Sequence, residues 1–103
     1  MTPLELTRII EDDIKRAGSA FTWQGRSLSE CLREPSKQRF LNSHNNDEPE
    51  ELWFVFEEGP QPSEGYKVVY DEELEMFGLA VNGITEPVLI GLYGGFVETL
   101  NSM

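Results

Sequence analysis

The chain opens with apolar residues at helical spacing. Leu6, Ile10, Ile14 and Ala17 recur at intervals of four, four and three, and Ile9 widens the stripe. Just ahead of them, Thr2-Pro3-Leu4-Glu5 places Thr at the N-cap, Pro at the first helical position and Glu three residues after the cap. That is a capping box, in which the Thr and Glu side chains satisfy backbone N–H groups that have no partner within the helix. Glu11 and Lys15, and Asp12 and Arg16, stand four residues apart in the favourable order, and Gly18 follows as a C-cap. The pattern predicts a helix over 3–17.

The period then changes. Segments 20–23 and 26–29 flank Gln24-Gly25 and fit a short hairpin, while 28–32 fit equally well the start of a helical turn ending before Pro35. Residues 34–50 are rich in Pro, Ser and Asn and read as a polar loop with Phe40-Leu41 as its apolar anchor. Beyond it, four β-rich runs at 52–57, 66–71, 76–81 and 88–92 are separated by short turn-forming segments. Asn82-Gly83 between two of them is a strong hairpin signal, because both residues tolerate positive φ. Pro87 cannot donate to a ladder, so either pairing weakens there or that side faces outward. Gly94-Gly95 then interrupts, and a short terminal helix is expected within 94–101.

Successive strands with short links pair antiparallel, since parallel neighbours need long crossovers. Phe77, Leu79 and Val81 share one face, Val88, Ile90 and Leu92 share another, and Leu52, Phe54 and Phe56 complete the core. The expected fold is α+β: an N-terminal amphipathic helix packed on a four- to five-stranded antiparallel meander over 51–92, with a short C-terminal helix. At 103 residues the chain is expected to form one domain over 1–103.

Charge changes the picture most. Eight Lys and Arg stand against nineteen Asp and Glu, a net of −11. The excess is one-sided: residues 1–39 hold seven basic and six acidic residues, whereas residues 40–103 hold Lys67 alone against thirteen acids. Such a chain is repelled by phosphate backbones and anionic lipid, so neither nucleic acid nor a membrane surface is an expected partner. One reading is that the acids keep a small domain soluble and monomeric; the sharper one, which so severe a shortage of lysine supports, is that they steer toward a basic protein. Turns on alternate ends of a meander separate the acids into two or more patches. A divalent-cation site is the weaker reading, because Asp71-Glu72-Glu73 lacks the alternating ligands and central glycine of a calcium loop.

Candidate chemistry is sparse. Cys31 and His44 are the only thiol and imidazole; their spacing brings no third group to orient a dyad, and two such residues are too few for a zinc site. Cys31 reads as a small buried packing residue and His44 as a solvated loop residue. One cysteine, no signal-peptide pattern and no apolar run long enough to cross a bilayer make the cytoplasm the expected compartment. The 91–95 stretch Gly-Leu-Tyr-Gly-Gly lacks the Gly-Lys-Ser/Thr ending of a phosphate cradle and reads as a tight strand-to-helix turn or a place of close backbone packing. No metal, cofactor or catalytic activity is expected.

In size, acidity and lack of a catalytic constellation the chain resembles the small acidic immunity proteins with which bacteria neutralise secreted toxins. Its closing Gly-Leu-Tyr-Gly-Gly-Phe-Val-Glu-Thr-Leu stretch resembles small uncharacterised bacterial α+β proteins. The immunity resemblance implies carboxylates and aromatics presented to a basic toxin surface. The expected contact residues are Trp53, Glu57, Glu58, Tyr66, Asp71, Glu72, Glu73 and Glu75, with the acids steering and Trp53 or Tyr66 anchoring. For Tyr66 and Tyr70 a place in the core, hydroxyls at its edge, is the competing reading. The alternative function is a self-associating structural or interaction module, so monomer and homodimer both remain open.

Overall fold

The computed structural model describes residues 1–17, 22–23, 26–27, 31–42, 48–57, 66–83 and 86–101. Helix α1 (Pro3–Ala17) is the helix the periodicity predicts. Thr2 Oγ1 accepts the Glu5 N–H at 3.2 Å and donates to Glu5 Oε1 at 3.2 Å, so the Thr2 half of the capping box forms and the Glu5 carboxylate is held on the Thr2 hydroxyl. Arg16 pairs with Asp13 at 3.6 Å, one residue nearer than the Asp12 that the i,i+4 rule nominates. Two short strands, β1 (Thr22–Trp23) and β2 (Arg26–Ser27), pair antiparallel with Trp23 opposite Arg26; the expected Gln24-Gly25 turn lies outside the described residues.

Five further strands form a closed barrel: β3 (Leu32–Asn42), β4 (Glu48–Glu57), β5 (Lys67–Asp71), β6 (Met76–Asn82) and β7 (Pro87–Gly94). Each pairs antiparallel with the next, and β3 closes on β7 through a parallel contact at Leu41–Val88 and Asn42–Leu89. Helix α2 (Phe96–Leu100) ends the described chain. The α+β class and both terminal helices agree with the sequence reading; the open, purely antiparallel meander does not. Its fifth strand comes from the segment read as a 34–50 polar loop. There Pro35 and Phe40 are buried while the four residues between them are exposed. A strand that anchors at two inward positions and solvates the rest carries too few apolar residues to show period-two alternation. Asn82-Gly83 also departs from its expected two-residue turn. Asn82 stays in the ladder opposite Pro87, and the Gly83 N–H donates to the Glu86 carbonyl at 3.1 Å.

Two clusters show how the sheet faces divide. Phe40, Leu52, Val69, Ala80 and Leu89 contribute one buried residue from each barrel strand and none from a helix, which identifies the barrel interior. Leu6 and Ile10 of α1 pack instead with Trp53, Phe56, Val68, Tyr70, Phe77, Leu79, Phe96 and Leu100 on the outer face. Phe96 joins the two layers, meeting Phe56 edge-on at 6.1 Å and Phe77 at 5.5 Å between ring centroids. A bulge between Phe54 and Phe56 separates residues that strict alternation puts on one face: Leu52 is interior, whereas Phe56 faces the helices. A second bulge, between Leu79 and Ala80 in the β6–β7 ladder, similarly breaks the expected Val88, Ile90, Leu92 row. Ile90 packs against the outer cluster and Leu92 against the interior.

Helix α1 lies against β3 and α2, and α2 lies against β6 and β7. Asp13 Oδ2 accepts the Val97 N–H at 2.8 Å, so α1 supplies a carboxylate to the first turn of α2. The chain enters that helix through Gly94, whose φ of +110° favours glycine. Gly78 has a different reason: a Cβ there would stand 2.4 Å from the Gly91 carbonyl oxygen across the ladder. The tight strand-to-helix turn expected of the 91–95 glycines is the one observed. No helix of the described chain is long and apolar enough to cross a membrane.

Candidate functional site

Antiparallel pairing sends the two ends of β4 to opposite ends of the barrel, and its acids with them. At the C-terminal end Glu57 sits directly opposite Lys67 of β5. Lys67 Nζ donates to Glu57 Oε1 at 2.9 Å, with both side chains about nine-tenths buried. Arg33 approaches the other oxygen at 3.9 Å, and Lys67 also stands 5.2 Å from the Phe54 ring centroid. Glu57, expected on the surface as a contact residue, is therefore turned inward as half of a buried ion pair.

The other end is built differently. Glu50, Glu51, Leu52 and Trp53 of β4 meet Asp71 of β5 and Glu72 and Glu73 of the following turn, and Lys37 of β3 closes the side. Together they line a concavity of about 360 Å³. Register explains the assembly: Trp53 lies between Lys37 on β3 and Tyr70 on β5, and Arg39 stands opposite Glu51. Asp71 shapes the turn, its Oδ1 accepting the N–H groups of Glu73 at 3.0 Å and Leu74 at 3.2 Å. Glu75 completes that turn at a φ of +54°.

Five carboxylates against two ammonium groups, those of Lys37 and Met1, give the concavity a negative field. Lys37 Nζ lies 5.4 Å from the Trp53 ring centroid and 3.8 Å from Glu72 Oε2, while the Met1 ammonium lies 3.0 Å from Glu72 Oε1. The terminal ammonium first, and Lys37 after it, hold the Glu72 carboxyl below its usual range. Burial, reinforced by Glu75, Glu72 and Asp71, raises the Tyr70 phenol. Trp53 is only 6% exposed, and its indole Nε1 is buried with no acceptor among the described residues.

Of the residues expected to contact a partner, Trp53, Asp71, Glu72 and Glu73 come together here. Glu75 is exposed in the same turn. Tyr66 is half-buried against the outer cluster, beside the fully packed Val68 and Tyr70. Glu58 and His44 lie outside the described residues. Cys31 is fully buried in the outer cluster, the packing role its sequence context suggests. Lys37, Glu50 and Glu51 were not among the expected contact residues. Their membership follows from the β3–β4 register, which local sequence does not encode. Among the described residues no group of three or more His, Cys, Asp or Glu side chains is arranged to hold a metal ion. No protein-family model matches the chain, and no curated protein or solved structure matches it either.

Proposed function

We propose that the protein is a non-catalytic binding protein that engages a basic protein partner through the acid-lined concavity at Trp53, in the manner of an immunity-type toxin inhibitor. One observation carries the reading: carboxylates from β4, β5 and the 72–75 turn converge on a single indole that already has a lysine ammonium over it. Carboxylates spread over a rim raise the encounter rate with a cationic surface; Trp53, expected as an anchor, is packed in the outer core at 6% exposure and offers a partner chiefly its ring face beneath the acids. A single buried cysteine is compatible with the cytoplasm, where such an inhibitor would meet a toxin.

The test is capture from native lysate on immobilised protein, eluted in a salt gradient, repeated with Glu51→Lys/Glu73→Lys. Both side chains are exposed, so their reversal leaves the core alone. A basic protein retained stoichiometrically by the wild type should associate about tenfold more slowly with the double variant, with a flatter salt dependence. Equal association rates would sink the proposal. Sedimentation equilibrium separates it from self-association: a mass that rises with concentration in the absence of partner favours the interaction-module alternative.

A further inference from the structure

We infer that the concavity is a primary-ammonium subsite which Lys37 occupies from within, and that a lysine on an extended segment of the partner displaces it. The inference rests on the docking reading above and names the group that docks.

Lys37 makes the two contacts an incoming ammonium would make. It stands over the Trp53 ring at 5.4 Å and beside Glu72 Oε2 at 3.8 Å. Neither contact holds it firmly. Its side chain is 47% exposed, its carboxylate contact is long, and exposed ion pairs and cation–π contacts are individually weak. An internal ligand held this loosely competes with an external one without blocking it. The apparent affinity of the site is lowered by the fraction of molecules in which Lys37 is in place.

Trp53 supplies the independent observation. Its indole N–H is buried without an acceptor among the described residues, and a buried donor left unpaired costs free energy. Lys37 cannot relieve it, because an ammonium has donors only. A lysine within a peptide brings an ammonium for the ring face and the carboxylates, and backbone carbonyls able to accept from the indole. The cation class follows from the internal occupant: the group that already stands over the Trp53 ring and beside Glu72 Oε2 is a compact ammonium rather than a planar guanidinium.

The experiment titrates N-acetylated pentalysine amide into the full chain at low salt, reading affinity by calorimetry and the Trp53 indole N–H by NMR, with Trp53→Phe assigning the signal. Lys37→Met and Lys37→Gln are compared with Lys15→Met, which removes the same charge from an exposed site on α1. We expect the Lys37 variants to bind about fivefold more tightly than wild type and Lys15→Met less than twofold. The Trp53 indole signal should shift on binding, and pentaarginine should bind several-fold more weakly than pentalysine. If Lys37→Met and Lys15→Met behave alike, or the indole signal stays still, the subsite is wrong; when Glu51→Lys/Glu73→Lys still weakens pentalysine binding, the acidic docking face survives it. Equal affinity for pentaarginine overturns the ammonium preference. Absence of pentalysine binding, or binding indifferent to Glu51→Lys/Glu73→Lys, overturns both.

Discussion

Replacing Lys67 by Met tests how the barrel tolerates charge in its interior. Lys67 and Glu57 are about nine-tenths buried and 2.9 Å apart, so removing the ammonium strands a carboxylate where water cannot reach it freely. Breaking a buried pair in this way costs roughly 3–5 kcal/mol. Arg33, 3.9 Å from the second Glu57 oxygen, offsets part of the loss, and Met keeps most of the packing volume over Phe54. The expected cost is therefore at the low end, about 3 kcal/mol. For a domain of this size that lowers the melting temperature by about 12–24 °C. Glu57→Met should cost a similar amount, but Glu57→Met/Lys67→Met should lie within about 1 kcal/mol of wild type, because no charge is left buried and unpaired. Urea unfolding followed by tryptophan fluorescence measures all four corners of the cycle. If Lys67→Met lies within about 0.5 kcal/mol of wild type, or the two single costs simply add, the pair is not a buried, mutually dependent unit and the reasoning fails.

Three further perturbations probe other joints. Phe96→Ala removes a fully buried ring that meets both Phe56 and Phe77, and should cost about 3–5 kcal/mol in the same urea assay; a loss below about 1 kcal/mol would show that α2 is not a structural part of the outer core. Asp13→Ala leaves the Val97 N–H without its carboxylate and should cost about 1–2 kcal/mol, with Asp13→Asn recovering part of it; hydrogen exchange at Val97 faster in the Ala variant than in wild type is the local readout. Tyr70 holds its proton more tightly in the folded chain than in the unfolded one, so its contribution is fully present below pH 10 and is lost as pH rises through the higher folded-state value. Unfolding free energy measured from pH 9 to 11 should therefore fall more steeply for wild type than for Tyr70→Phe, and parallel curves would contradict the shift.

What the sequence discloses here is what neighbouring residues determine. Thr2, Glu5 and the 6, 9, 10, 14 stripe specify α1 because a cap and a helical face are read within a few residues of each other. The runs that became β4 to β7 show through their aromatic and β-branched residues and their short links. β3 escapes the same reading because its order comes from β4, from Ser36 opposite Phe54 to Asn42 opposite Glu48, and hardly from its own composition. Closure by Leu41 on Val88 joins residues far apart in the chain and leaves no local trace at all. The bulge at 54–56 has the same character: it moves Phe56 from the barrel interior to the helix side, though the alternation of Leu52, Phe54 and Phe56 argues for one face.

The site follows the same division, and the charge asymmetry acquires a sharper meaning from it. Lys67 is the only Lys or Arg among residues 40–103, and the fold turns it inward against Glu57. The acidic half thus spends its one permanent side-chain cation in the interior, which leaves Glu50, Glu51, Asp71, Glu72 and Glu73 no neutralising partner from their own half. Cations that reach them come from residues 1–39 or from another molecule. Among the described residues the chain supplies Lys37 and the Met1 ammonium, both at Glu72, while Arg39 turns to Glu86 at 3.1 Å. Two ammonium groups on one carboxylate leave the field of the other four carboxylates unbalanced, and Lys37 remains half exposed. On the proposed reading, a concavity with that excess charge, a largely buried indole and a half-exposed lysine accepts an incoming cation as its internal occupant leaves.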